Sequence, residues 1–175
     1  MTFPQEYIDF MVHFHGNRDY FECHEILEDY WKEVDSRNKD SVWVGLIQLA
    51  VANYHHRRGN FNGALRTLKK AFQIISSNEV LIQQLGLDSN LLLTQIRARV
   101  ADIEKRHEYQ SMNLPIQSNQ LLEQCKKRSQ ELQMAWLLES DLTNNQIVHR
   151  HKERDRTNVI EERNQAKQKK TNRRQ

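Results

Sequence analysis

The stretch from Val42 to about Arg58 constrains the fold most, because it reads as a helix with almost no polar face. Trp43, Val44, Leu46, Ile47, Leu49, Ala50, Val51, Ala52 and Tyr54 spread apolar side chains around the whole circumference. A helix that is apolar on every side must be covered on every side. It falls short of the about 20 apolar residues that a membrane span requires, so its cover has to come from other helices of the same chain. Only two prolines and five glycines occur in 175 residues, which favours long helices over a loop-rich β protein. The polar exceptions in this helix are therefore informative. Gln48 and His55 stand seven apart with Ala52 between them, which places all three on one side. Arg57 and Arg58 occupy the last turn, where cations suit the helix dipole, although beside Gly59-Asn60 they also have the makings of an anion site.

The segments around this helix carry helical stripes of their own. Tyr7, Ile8, Met11, Val12 and Phe14 form a first stripe after Pro4, ending near Gly16. Asp19, with Glu22 three residues on, is a capping pair for a second helix that runs to about Val34. Asp40 or Ser41 caps the apolar helix, and a fourth covers Phe61 to about Ser77. The second and fourth helices share a spacing: Tyr20, Cys23, Leu27 and Trp31 match Phe61, Ala64, Leu68 and Phe72. This resembles the second helix of tetratricopeptide hairpins, without that family's pattern in the leading helices. Residues 79–87 read as a semi-apolar connection. Asp88 or Ser89 caps a fifth helix along Leu92, Ile96, Val100 and Ile103. Pro115 then breaks the pattern, and Leu121, Leu122, Cys125, Leu132, Trp136 and Leu137 predict a sixth helix. The fold class expected is all-α: antiparallel helical hairpins forming a bundle over 1–112, a linker and appended helix over 113–148, and a basic tail over 149–175. That tail holds ten Lys or Arg against four Asp or Glu, so the other 148 residues are net −3 within the total of +3.

Chemistry concentrates in the second helix. His24, Glu28 and Trp31 fall at i, i+4 and i+7 on one face, with Phe21 a turn earlier and Glu25 beside them. Burying a carboxylate costs several kcal/mol unless it is paired. Gln48 and His55 of the next helix are the natural partners. The expected polar cluster is Tyr20, His24, Glu25, Glu28, Trp31, Gln48 and His55. His13, His15 and His56, single histidines near helix ends, are expected at the surface. Cys23 and Cys125 are expected as buried or half-buried free thiols. With no signal-like N-terminus, they point to a cytoplasmic protein.

The motifs Tyr20-Phe21-Glu22-Cys23-His24-Glu25-Ile26-Leu27-Glu28-x-x-Trp31 and Gly45-Leu46-Ile47-Gln48-x-Ala50-x-Ala52, followed by His55-x-x-x-Gly59-Asn60-x-x-Gly63-Ala64, resemble the bacterial and archaeal DUF309 family. The resemblance covers roughly Phe10 to Leu68. It implies an all-helical domain and brings no activity with it. The glycine that such proteins carry just before the second helix is Arg18 here, with Gly16 two residues earlier, which puts the shape of the first turn in question.

Two functions suit the cluster. It reads first as a buried hydrogen-bond network in a non-catalytic interaction or small-ligand-binding module, with Glu28 accepting from an imidazole or from the Trp31 indole N–H and Gln48 bridging. The alternative is a metal-dependent, hydrolase-like enzyme using His24, Glu28 and His55 toward a divalent metal. However, the second histidine of the His-Glu-x-x-His motif is missing. Otherwise no cofactor is expected. Partners are an unspecified protein or small molecule, and nucleic acid through the basic tail. That tail lacks aromatics for base stacking. No membrane partner is expected.

Overall fold

The computed structural model describes residues 2–149 and Gln165. Eight helices occur among them: α1 (Gln5–His15), α2 (Tyr20–Val34), α3 (Val42–Arg57), α4 (Phe61–Ser76), α5 (Glu79–Gln84), α6 (Ser89–Glu104), α7 (Asn119–Glu131) and α8 (Asn145–Val148). The described residues form an all-helical fold, and from α1 to α6 each helix packs on its chain neighbour. α3 lies between α2 and α4, α1 flanks α2, and α6 flanks α4. The apolar circumference of α3 is thus covered from both sides, as its composition requires.

Local chemistry sets the helix starts. Asp19 accepts from the Glu22 N–H, Ser41 from Trp43, Asn60 from Gly63, Asp88 from Leu91 and Ser118 from Leu121. Each satisfies a backbone donor that the first turn leaves unpaired. Of the alternatives open in the sequence, Ser41 and Asp88 are the caps. Gly59 ends α3 at φ 77°, the left-handed conformation in which a Cβ is costly. Arg18 takes that conformation too, at φ 55°. The turn before α2 therefore has the backbone a glycine adopts freely, here held by an arginine.

Two elements differ from expectation. The connection 79–87 contains the short helix α5, which buries Ile82. The sixth helix, expected to reach Leu137, stops at Glu131. Gln133 and Leu137 lie at φ 52° and 61° and turn the chain away.

The segment after α6 folds back across the bundle. Met112, Leu114, Leu121 and Cys125 are buried in the same core as Tyr7, Phe10 and Phe14 of α1, and α7 packs on α1. An isolated antiparallel bridge pairs Leu87 with Ile116. The Asp88 N–H donates to the Pro115 carbonyl at 2.9 Å, and the Gln117 N–H to that of Gly86 at 2.9 Å. Packing runs on across position 112/113, with Leu114 and Leu121 buried beside Met112. Of the basic tail 149–175, all but His149 and Gln165 lies outside the described residues. Among the described residues no helix is long and apolar enough to cross a membrane.

His15 fastens this returning segment. It is fully buried, contrary to its expected surface position, because Phe14 and Trp136 cover its ring, with centroids at 5.3 and 4.9 Å. Its Nδ1–H donates to the Met11 carbonyl at 2.7 Å. Nε2 accepts from the Leu114 N–H at 2.9 Å, which requires the neutral ring. Burial, with the nearby Arg18 charge, lowers its pKa to about 4 against an opposing hydrogen bond to Met11. The unfolded chain therefore binds the extra proton between pH 6.5 and about 4. Stability is full above that window and falls as the pH drops through it. His55 and His56 are also shifted down by burial and add in the same direction. We expect His15→Gln to be less stable at pH 7. It should also lose about 2 kcal/mol less than the parent between pH 7 and pH 5, from the titration of one such group. Urea unfolding at both pH values measures this, and equal losses would remove His15 from the account.

Candidate functional site

The seam between α2 and α3 carries the residues that the sequence singles out. His24 sits between two carboxylates of its own helix: Nε2 lies 3.0 Å from Glu28 Oε2, and Nδ1 3.2 Å from Glu25 Oε1. Lys32 Nζ is 2.9 Å from the other Glu28 oxygen. With both ring nitrogens protonated, the imidazole donates to both acids. This cluster is not enclosed, since His24 and Glu28 remain 29% and 31% exposed. The spacing i, i+4 pairs side chains along one helix surface, and here that surface is the rim of the seam.

Two concavities share His24 as a wall. One, of about 250 Å³, is lined by His24, Glu28, Trp31, Lys39, Val44, Ile47, Gln48 and Lys70. The other, of about 170 Å³, is lined by Tyr20, Phe21, His24, Val51, Tyr54 and His55. All the sequence-selected residues except Glu25 therefore line one or the other, and Glu25 reaches the seam through His24. Their bonds differ from the expected network. The Trp31 indole N–H donates to the Asn38 carbonyl at 3.0 Å and not to Glu28. Gln48 is a wall of the groove, half-buried. The half-buried His55 ring faces the Asn60 amide nitrogen at 3.2 Å. Burial and the charges of Arg58 and Arg66 push its pKa down. The ligating atoms of His24, Glu25 and Glu28 lie within 4.8 Å of one another, whereas His55 belongs to the neighbouring concavity.

A second polar cluster, beneath the returning segment, escaped sequence reasoning. Arg18 is fully buried and donates at 2.6 Å each to the Met112 carbonyl, the Asn113 side chain and the Leu138 carbonyl. Arg57 NH1 donates to the Arg18 carbonyl at 2.6 Å, and its Cζ lies 4.6 Å from the Tyr20 ring centroid. The buried Tyr20 hydroxyl meets that of Tyr109. Burial and Tyr109 drive its pKa up against the Arg18 and Arg57 charges. His56, expected at the surface, is buried: its Nε2–H donates to the His107 carbonyl at 2.8 Å and Phe61 and Tyr109 flank its ring. The sequence signals were slight: two arginines before Gly59, and an arginine where a glycine fits the turn. The hydrogen-bond partners of Arg18 and Arg57 lie from 39 to 120 positions away, beyond any local pattern.

A family model described as "Domain of unknown function (DUF309)" matches residues 7–67, which take in most of α1, all of α2 and α3 and the first turns of α4, and so every seam residue named above but Lys70. The Bacillus subtilis (strain 168) protein called "Uncharacterized protein YpuF" is 44% identical over 161 residues, 92% of each chain. The chain belongs to the DUF309 family. No solved structure matches this DUF309 protein significantly. The similarity to the Bacillus protein extends well past residue 67, so the returning segment has a counterpart there.

The two clusters should respond unequally to mutation. His24→Ala removes half-exposed ion pairs and should change stability by no more than about 1 kcal/mol. Arg18→Met leaves three acceptors without their donor, at least one of them buried, and should cost about 3 kcal/mol. Urea midpoints compare them, and a larger loss in the His24 variant would reverse the assignment.

Proposed function

We propose that this DUF309 protein is a cytoplasmic, non-catalytic binding module whose α2–α3 seam takes a small amphipathic ligand. The observation that carries the reading is His24 as the shared wall of two unlike concavities. On one side aromatic and branched side chains, Phe21, Val51 and Tyr54, offer an apolar slot. On the other, Glu28, Lys39, Gln48 and Lys70 surround Trp31 and Ile47 with polar groups of both signs. A few convergent polar groups over an apolar floor are what small-molecule sites present. The absence of catalysis is supported by how the imidazoles are used. Among the described residues, His24 and His55 meet carboxylates and an amide, and neither is hydrogen-bonded to a hydroxyl or thiol that it could activate. Cys23 and Cys125 are free and buried, which suits a reducing compartment.

A second reading, a metal-dependent enzyme, is favoured by the convergence of His24, Glu25 and Glu28. One imidazole and two carboxylates fit zinc or manganese chemically. Against it, the Lys32 ammonium already holds Glu28 at 2.9 Å and would repel a dication.

Fluorine NMR of 5-fluorotryptophan protein, with a panel of aromatic carboxylates and amines as probes, tests the ligand reading. Saturable shifts at Trp31, weakened at least several-fold by His24→Ala, are expected. No response at Trp31 from any probe, or one indifferent to His24→Ala, would overturn it. Calorimetric titration of untagged protein with zinc or manganese tests the rival. We expect no stoichiometric binding, and tight binding abolished by Glu28→Gln would install the metal reading instead.

A further inference from the structure

A cavity of about 360 Å³ opens between two stretches of the returning segment, lined by Tyr109, Gln110, Ser111, Glu139, Ser140 and Leu142. It lies apart from the α2–α3 seam, and its inner wall is a cluster of hydroxyls. Tyr20 OH meets Tyr109 OH. Tyr109 OH lies 2.8 Å from Ser140 Oγ and 3.4 Å from Ser111 Oγ. Four hydroxyl groups thus share three oxygen–oxygen contacts, and each contact uses one hydrogen. At least one hydroxyl hydrogen therefore has no acceptor within the cluster, whichever way the rotors turn. Further donors point into the same oxygens. The Ser140 N–H donates to Ser111 Oγ at 3.0 Å, and Arg57 NH1 to Ser140 Oγ at 3.3 Å. The wall thus holds at least one hydroxyl hydrogen more than its own contacts use.

Positive charge stands behind it. Arg57 is 8% exposed and sits 5.9 Å from the Tyr109 ring centroid, and its Nε has no hydrogen-bond partner. Arg99 lies 5.7 Å from the same centroid, oriented by the His56 ring, whose Nδ1 is 3.3 Å from Arg99 NH1. Arg18 is buried two residues before Tyr20. Among the described residues none of these three guanidiniums forms an ion pair with a carboxylate. Asp19 caps α2, the charge of Asp102 reaches Arg99, and Glu139 lies in the cavity lining. Buried cations are ordinarily paired, and unmatched donors in front of unpaired guanidiniums favour an acceptor that carries negative charge.

We propose that this cavity binds a small oxyanion, a phosphate or carboxylate group, through the hydroxyls of Tyr109, Ser111 and Ser140 with Arg57 and Arg99 behind them. The anion accepts the unmatched hydroxyl hydrogen and offsets the buried positive charge, and it bridges α3 and α6 to residues 109–140 of the returning segment.

Amide NMR of the full chain tests this, with inorganic phosphate and acetate titrated separately at ionic strength held constant by sodium chloride. Saturable shifts at the Ser111 and Ser140 amides are expected, at least tenfold weaker in Ser111→Ala/Ser140→Ala from the loss of charge-assisted hydrogen bonds. Glu139→Gln, which removes a carboxylate from the lining, should tighten binding by about two- to threefold at partial exposure. Whichever anion binds more tightly identifies the group recognised. The proposal is overturned if neither anion gives saturable shifts at these amides, if the double serine variant binds like the parent, or if Glu139→Gln leaves binding unchanged or weaker.

Discussion

The structure depends on how the chain after α6 is held against α1 and α2, and the Arg18 guanidinium ties it down at three points. Its backbone sits in the left-handed region, which for a residue with a Cβ costs on the order of 1 kcal/mol. That conformation aims the side chain under the returning segment, where it reaches acceptors on Met112, Asn113 and Leu138. Three charge-assisted hydrogen bonds in a buried setting outweigh the backbone strain. His15 adds a fourth anchor at Leu114, and Arg57 ties the Arg18 carbonyl to α3. These polar fastenings act beside Met112 and Leu114, which the same stretch buries in the core.

This arrangement separates two polar systems on the same pair of helices. Outside, on the α2–α3 seam, His24, Glu25, Glu28 and Lys32 form a half-exposed chain of ion pairs that water screens. Inside, arginines, tyrosines and buried histidines face main-chain carbonyls and hydroxyls. The outer system contributes little to stability and is free to exchange its contacts for a ligand's. The inner one is stabilising in proportion to its burial, because an unmatched group there has no water to turn to. The two differ in partner as well as in burial, since the outer system pairs opposite charges and the inner one sends its cations to carbonyls and hydroxyls.

Much of the architecture was legible in the chain. The all-round apolar α3 demanded neighbours on both sides, Asp19 marked a helix start, Gly59 marked an end, and the stripes of α1, α4 and α6 fixed which faces turn inward. The seam was legible as well, because His24, Glu28 and Trp31 share a face through helical spacing and Gln48 and His55 share one on the next helix. Its depth was not. Side-chain period says which residues lie together, but how much water reaches them depends on elements that pack nearby. Trp31 illustrates this: its indole N–H went to the Asn38 carbonyl in the following turn, which the helical pattern of α2 does not encode.

The sequence by itself determined that this chain is a set of helical hairpins around one apolar helix, because hydrophobic period and capping chemistry act within a few residues. It also determined membership of the DUF309 family through motifs confined to α2, α3 and the start of α4. Only the tertiary structure decided that residues 106–148 close over α1 and α2, that His15 and His56 are interior, and that Arg18, Arg57 and Tyr109 converge. These contacts join positions from 31 to 120 apart, and a local pattern carries no information over such distances. The decision falls to packing, which buries a polar group wherever enough partners converge to satisfy it.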